Sequence, residues 1–203
     1  MSSRLPELRF LAFYQVMEYF FDAVSNERLC DKISGQIKDP KFHASTEQLV
    51  HMIRTVDSFS RENNETNKLK NVLQKFVDEK ELIEFISSYE RHLSDVGEGK
   101  VYSKIHNVFG KDITVRLEEG QCISNLASHI KETRNALVHS SDGYEGNVRH
   151  VPFTETTKKI LLDIPLMKFL AEKVIIASSI SVIQKTEIGS TQQPLFPVHV
   201  DSS

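Results

Sequence analysis

Apolar and aromatic residues recur with a helical period along most of the chain, and the first stretch is the most apolar. From about Leu5 to Arg28 they occupy nearly the whole circumference of a predicted helix. The polar and charged residues that break this ring are Arg9, Gln15, Glu18 and Asp22. A helix that is apolar on every side is expected to lie at the centre of a fold or against a partner subunit.

Three further helices are predicted before residue 94. Ser45-Thr-Glu-Gln48 matches a capping box, which predicts a helix from there to about Phe59. Two shorter helices follow, at about residues 68–77 and 79–92, because apolar residues recur there at helical spacing. Between Ser94 and Gly120 the periodicity fails and glycines accumulate. This composition indicates a loop-rich insertion, with a small element around residues 113–117.

The second half of the chain is predicted to be helical again after this insertion. The predicted elements are a helix at 121–139, a turn at 140–143, an extended stretch at 148–153, and helices at 154–162 and 165–185. Residues 186–203 are rich in Gly, Ser, Gln and Pro and predict a flexible tail. The chain is therefore expected to form one all-α domain over residues 1–185, a helical bundle with the insertion before the helix at 121–139.

The helix at 121–139 breaks its own pattern at one residue. Its apolar residues fall on one stripe, and Arg134 projects into the middle of this stripe. Asn135 and His139, four residues apart, share the neighbouring face. A guanidinium among apolar residues must pair with an anion or face a polar cavity, and we nominate Glu18 as the carboxylate that holds it. Such breaks in a pattern tend to mark functional sites.

Composition and charge are those of a globular domain with a helical core and no strong net charge. With 203 residues, 39% of them apolar and few glycines or prolines, the chain can bury a helical core. Its net charge of −3 provides no global basic field that would attract nucleic acid, so any nucleic-acid binding would need a local basic cleft or one assembled by two subunits. Cys30 and Cys122 lie far apart in the sequence and are predicted to be reduced thiols, buried or half-buried.

The sequence predicts neither a metal site nor a cofactor, because the histidines lack the spacing of metal ligands and no Gly-rich phosphate loop is present. Without a signal pattern or a long apolar span, a cytoplasmic protein away from membranes is expected.

The segment Arg134-Asn135-Ala-Leu-Val-His139 resembles the signature of the HEPN superfamily, all-helical domains whose active members carry arginine, four to six residues, and then histidine. Asparagine directly after the arginine is frequent in that family. The aromatic stretch from Phe10 to Phe21 resembles the first helix of HEPN effector domains in bacterial defence proteins. Arg149-His-Val-Pro-Phe153 and the segment from Ile164 to Ile176 resemble their C-terminal part, so the resemblance extends over about residues 5–185.

The resemblance implies a metal-independent endoribonuclease that acts in phage defence or as a toxin. Two motif helices of a homodimer would form one composite site, which cleaves RNA by attack of the 2′-hydroxyl. His139 suits the proton transfers because histidine titrates near neutrality, and Arg134 suits the phosphate because its fork is always charged. Asn135 is expected to position these groups. Arg149 and His150 are expected either to reach a phosphate or to form a solvated hairpin edge.

The partners that the resemblance implies are RNA, with tRNA among the candidates, a second copy of the chain, and a sensor domain or regulatory partner outside this sequence. Two other hypotheses stay open. One is a non-catalytic HEPN module that binds nucleotide or RNA, or only dimerises. The other is a helical accessory or antitoxin-like subunit in which Arg134 forms a core ion pair.

The sequence also departs from one HEPN subtype. HEPN toxins that pair with nucleotidyltransferase antitoxins often carry tyrosine two residues after the motif histidine. Here that position is Ser141, and the nearest tyrosine is Tyr144. This departure argues against that regulated-toxin subtype.

Overall fold

The structure, a computed structural model, describes residues 5–138 and 155–189. Within these ranges it contains seven helices and one β-hairpin, so the predicted all-α fold is confirmed at the level of class. The elements are α1 (Pro6–Glu18), α2 (Phe21–Ile37), α3 (Thr46–Glu62), α4 (Glu65–Phe76), α5 (Glu79–Asp95), β1 (His106–Val108), β2 (Lys111–Ile113), α6 (Cys122–Val138) and α7 (Glu155–Gly189). Helix α7 packs along α1, and α6 packs on α4, with the core between them.

The apolar first segment forms two helices instead of the single helix expected over residues 5–28. The chain breaks at Tyr19-Phe20, where Phe20 N–H donates to the Met17 carbonyl in a tight turn at 3.1 Å. The Phe20 ring packs edge-on against Phe76 of α4, with ring centroids 5.3 Å apart. The bend therefore turns an aromatic side chain into the bundle, and α2 continues to Ile37, well past the expected end.

Helix α7 passes through Pro165, where the sequence predicts the start of a separate helix. Proline removes one backbone donor and disturbs the carbonyls of the preceding turn. In the structure, the Leu162 carbonyl accepts hydrogen bonds from the hydroxyls of Tyr89 at 3.0 Å and of Tyr102 at 3.2 Å. The prediction of two separate helices is therefore wrong. The two tyrosines tie the turn before Pro165 to α5 and to the insertion.

The insertion before α6 contains a hairpin, which lies N-terminal to the small element expected at residues 113–117. Its strands pair antiparallel, with His106 opposite Ile113. Phe109 and Gly110 form the turn with φ values of 47° and 93°, the backbone twist that a two-residue hairpin turn requires. The Phe109 side chain is buried, so its contacts offset the unusual backbone of a non-glycine residue.

The connection from α5 to this hairpin is fixed by Glu90, a buried carboxylate. It accepts the backbone N–H groups of Tyr102 at 2.7 Å and of Ser103 at 2.8 Å. A buried charge is tolerated when such donors surround it. Glu90 therefore ties the start of the insertion to α5.

Two predicted segments lie outside the described residues. The turn at 140–143 and the extended stretch at 148–153 lie in the undescribed range 139–154. Helix α7 extends through Gly189, past the helix end that the sequence predicts at about residue 185.

Candidate functional site

The motif lies at the end of α6, and α5 anchors the beginning of that helix. Glu79 of α5 accepts the backbone N–H of Gly120 at 2.7 Å and that of Ile123 at 3.0 Å. The bond from Ile123 satisfies a donor that the first turn of a helix leaves unpaired, the bond from Gly120 holds the residues before the helix, and the carboxylate matches the positive end of the helix dipole. The entry of α6 into the fold is thereby fixed.

Helix α6 passes from the core to the surface along its length. Its first three turns bury a run of residues that ends at Thr133, whereas Arg134, Asn135 and Leu137 are half-buried and Val138 is exposed. The motif residues therefore occupy the turn in which the helix emerges from the bundle. An arginine in this turn is open to solvent on one side and packed on the other.

Arg134 forms an ion pair with Glu65, the first residue of α4. The Arg134 Nε atom lies 3.4 Å from Glu65 Oε1, and the two side chains are 21% and 32% exposed. The guanidinium also lies over the Tyr14 ring, with its carbon 5.7 Å from the ring centroid. Arg134 is thus paired with an anion, as the apolar stripe required, and it stays partly solvated.

The partner expected for Arg134 was Glu18, and this assignment is corrected. Glu18 is the last residue of α1 and its side chain is exposed. Its negative charge acts on Tyr14, although more weakly than that of Glu65. The carboxylate that pairs with Arg134 among the described residues is Glu65, because the bend after α1 and the packing of α4 on α6 bring the start of α4 to the motif.

Tyr14 completes a three-residue cluster with Arg134 and Glu65. Its hydroxyl donates to Glu65 Oε1 at 2.6 Å, the same oxygen that faces Arg134. Burial first, and then the hydrogen bond and charge of Glu65, raise the pKa of Tyr14 well above its ordinary value of 10.0. The hydroxyl therefore keeps its proton and serves as a fixed donor that orients Glu65.

Sequence reasoning missed both Glu65 and Tyr14. Glu65 stands before the helix predicted from about residue 68, and in the structure α4 already begins there, because Asn64 caps it by accepting the Asn67 N–H at 3.0 Å. Tyr14 was one aromatic residue among many in the first segment. Asn64 followed by Glu65 is a typical helix start, and this signal could have predicted that Glu65 is the first residue of a helix.

Asn135 lies beside Arg134, as expected from the sequence. Its Oδ1 atom is 3.5 Å from Arg134 Nη1, which is a long hydrogen bond. His139, Arg149 and His150 lie outside the described residues. The structure therefore brings together Arg134, Asn135, Glu65 and Tyr14, and the other predicted site residues stay predictions.

Neither a metal site nor a membrane-spanning helix is found among the described residues. Within residues 5–138 and 155–189, no group of three His, Cys, Asp or Glu side chains is arranged to hold a metal ion. None of the helices in these ranges combines the length and apolar character needed to cross a membrane. Comparisons of the chain with models of protein families, with curated proteins and with solved structures find no match.

Proposed function

We propose that this chain is a metal-independent endoribonuclease of the HEPN type. The observation that carries the proposal is the state of Arg134, a permanently charged fork that is oriented by Glu65 and Tyr14 where α6 reaches the surface. A guanidinium that is already oriented can bind a phosphate in a bidentate manner with little loss of side-chain conformational entropy. The Arg-x4-His spacing of the sequence supplies the second group, His139.

The proposed reaction assigns one chemical task to each residue. The ribose 2′-oxygen attacks the adjacent phosphorus while a histidine removes its proton, and the bond from phosphorus to the 5′-oxygen breaks. A second histidine protonates the leaving 5′-oxygen, which yields a 2′,3′-cyclic phosphate and a 5′-hydroxyl. Arg134 stabilises the added negative charge on the phosphoryl oxygens in the transition state. Asn135, which touches Arg134, positions the guanidinium.

One chain carries one motif, so the proposed site includes two copies. An isologous dimer would set two Arg134 and two His139 side chains around one phosphate. Leu137 and Val138, apolar residues that are half-buried and exposed at the emerging end of α6, support a contact surface there. We expect light scattering to give twice the 23.2 kDa of the chain at micromolar concentration. A monomeric mass at that concentration would contradict the composite site.

The direct test is cleavage of single-stranded RNA by the purified full chain and its variants. We expect Arg134→Ala and His139→Ala to abolish cleavage, and Asn135→Ala to weaken it less. Arg91→Ala, which removes an exposed arginine of α5, is the matched control and should cleave normally. Circular dichroism verifies that each variant keeps its helical content.

Two conditions separate this mechanism from other nucleases. Replacing the 2′-hydroxyl by hydrogen should prevent cleavage, because the nucleophile is lost, and EDTA should have no effect. Cleavage that EDTA abolishes and Mg²⁺ restores would overturn the mechanism. Binding of RNA by the wild type without any cleavage would instead favour the non-catalytic module.

A further inference from the structure

A groove of about 500 Å³ lies between α2 and α4, beside the end of α3, and it contains none of the residues of the Arg134 cluster. Ligand sites in proteins usually measure about 300–1,000 Å³. The wall that α4 contributes extends from Asn67 to Gln74, which is about 10 Å at 1.5 Å per residue. The groove is therefore elongated, a shape that fits part of a chain molecule better than a single small ion.

Three cations line this groove, namely Arg28 and Lys32 of α2 and Lys70 of α4. Within residues 5–138 and 155–189, none of the three takes part in a salt bridge. The Lys32 ammonium lies 5.3 Å from the centroid of the Phe59 ring, which belongs to the same wall. An interaction with an aromatic ring leaves the positive charge in place. The three charges are therefore available to an anionic ligand.

Two carboxamides of α4 hold the guanidinium of Arg28. It donates to Asn71 Oδ1 and, at 3.0 Å, to Gln74 Oε1. An arginine can only donate, so both amide oxygens must face it and both NH₂ groups must be directed elsewhere. These NH₂ groups have no hydrogen-bond partner in the part of the chain that the structure describes. The contacts that orient Arg28 thus consume acceptors and leave donors in the groove wall, as an anion requires.

Two exposed carboxylates also belong to the wall, Asp31 of α2 and Glu62 of α3. Glu62 accepts the Ser58 hydroxyl at 3.1 Å. Three cations and two carboxylates leave one net positive charge in the groove, whereas the whole chain has a net charge of −3. The groove is thus a local site for anions on an acidic protein, and Asp31 limits the affinity that its cations provide.

The groove begins beside the proposed cleavage site, at the start of α4. Asn63 and Asn67 line it and flank Glu65 in the sequence. Glu65 is the partner of Arg134, and it lies on the opposite side of α4 from Asn67, because residues two apart in a helix differ by about 200°. A helix is about 10 Å across, and each nucleotide of a strand adds about 3.4 Å. About three nucleotides therefore lead from Arg134 to the groove.

We propose that this groove binds the backbone of single-stranded RNA beside the phosphate at Arg134, with Lys32 and Lys70 in contact with its phosphates. The choice of RNA rests on the proposed function, and its support is the continuity between the groove and the Arg134 cluster. An acidic peptide would satisfy the same charges without reaching Arg134. Contacts with phosphates contain no information about the bases, so the groove strengthens the binding of RNA of any sequence.

Fluorescence anisotropy of the full chain with a labelled RNA of about twelve nucleotides, a length within the range of known single-strand sites, tests this groove. The RNA is 2′-O-methylated throughout, so it lacks the attacking hydroxyl and binding is measured separately from cleavage. Lys32→Ala and Lys70→Ala should each weaken binding about threefold. Each should also reduce the slope of log Kd against log salt by about 0.7, the value for one phosphate contact of a single strand. Oligo(A) and oligo(U) should be affected alike.

Asp31→Asn tests the same groove in the opposite direction. It removes a negative charge beside the cations, so RNA should bind about threefold more tightly. Lys100→Ala is the matched control, because this exposed lysine of the insertion lies outside the groove. It removes the same charge as the other two lysine variants and should leave both the affinity and the salt slope unchanged. Circular dichroism verifies the helical content of each variant.

The outcomes distinguish this inference from the proposed cleavage. Binding of RNA that both lysine variants weaken, in a protein that cleaves no RNA, would support the groove and contradict the enzymatic function. Cleavage of RNA together with binding that both lysine variants leave unchanged would do the reverse. The inference would also be overturned if the wild type bound no RNA, if Asp31→Asn weakened binding, or if a poly-glutamate peptide of equal charge bound as tightly as RNA.

Discussion

Replacing Arg134 by alanine measures whether the motif arginine supports the fold or serves a ligand. The substitution removes an ion pair whose side chains are 21% and 32% exposed and whose N–O distance is 3.4 Å. Breaking a fully buried pair costs about 3–5 kcal/mol, and an exposed pair contributes about 0–1 kcal/mol. Glu65 keeps the hydrogen bond from Tyr14 and gains water, so we expect a loss of about 1–2 kcal/mol in the free energy of unfolding.

A double-mutant cycle with Glu65→Gln isolates the pair. Thermal unfolding should show a Tm lower by roughly 2–8 °C for Arg134→Ala, at about 2–4 °C per kcal/mol for a domain of this size. The coupling energy between the two substitutions should be close to 1 kcal/mol. A loss above about 3 kcal/mol, mostly recovered when Glu65 is also replaced, would refute the reasoning, because Arg134 would then be a core ion pair.

Three further predictions concern single side chains. Thr133→Val should raise the free energy of unfolding by about 1 kcal/mol in urea denaturation, since an unpaired buried hydroxyl becomes a methyl group; a loss of stability would mean that the hydroxyl has a partner. Burial lowers the pKa of His106 below its ordinary value of 6.5, so the unfolded chain binds more protons, and stability should fall as the pH decreases below about 6.5. His106→Asn should flatten this part of the pH profile, and an unchanged profile would contradict the assignment. Cys30 is exposed, whereas burial raises the pKa of Cys122 to about 12, so iodoacetamide should label Cys30 in the native protein, with Cys122 reacting only after unfolding.

The sequence predicted those helices whose stabilisation is local. The helix at Thr46–Glu62 was expected from its cap, and Ser45 Oγ does accept the Gln48 N–H, at 3.4 Å. Helices α4, α5 and α6 were expected from their apolar periodicity, because each buries one continuous stripe. Local patterns of this kind need no knowledge of the rest of the chain.

The errors occur where distant residues decide the structure. Phe20, at the break, packs on Phe76 of α4, and the turn of α7 before Pro165 accepts hydrogen bonds from Tyr89 and Tyr102. The exposed Cys30 was likewise expected to be at least half-buried. Propensity and periodicity contain no information about contacts between elements far apart in sequence.

The same limit applies to the candidate site. The sequence identified Arg134 as irregular and required a partner for it, since the charge of an arginine in an apolar stripe must be compensated. It could not choose among the acidic residues, and the choice of Glu18 was wrong because α1 ends there and α4 delivers Glu65 instead. The candidate residue Arg134 followed from residue type, whereas its partners required the fold.

One oxygen of Glu65 contacts both Tyr14 and Arg134, and this arrangement affects which anions Arg134 would bind in the proposed site. Because this carboxylate already occupies one side of Arg134, a solitary inorganic ion must compete with an internal anion and gains little by displacing it. A polyanionic chain that also touches other groups is less affected, since its binding does not depend on a single contact. In the proposed site, Glu65 would therefore keep the arginine oriented and favour extended polyanionic ligands over free inorganic phosphate.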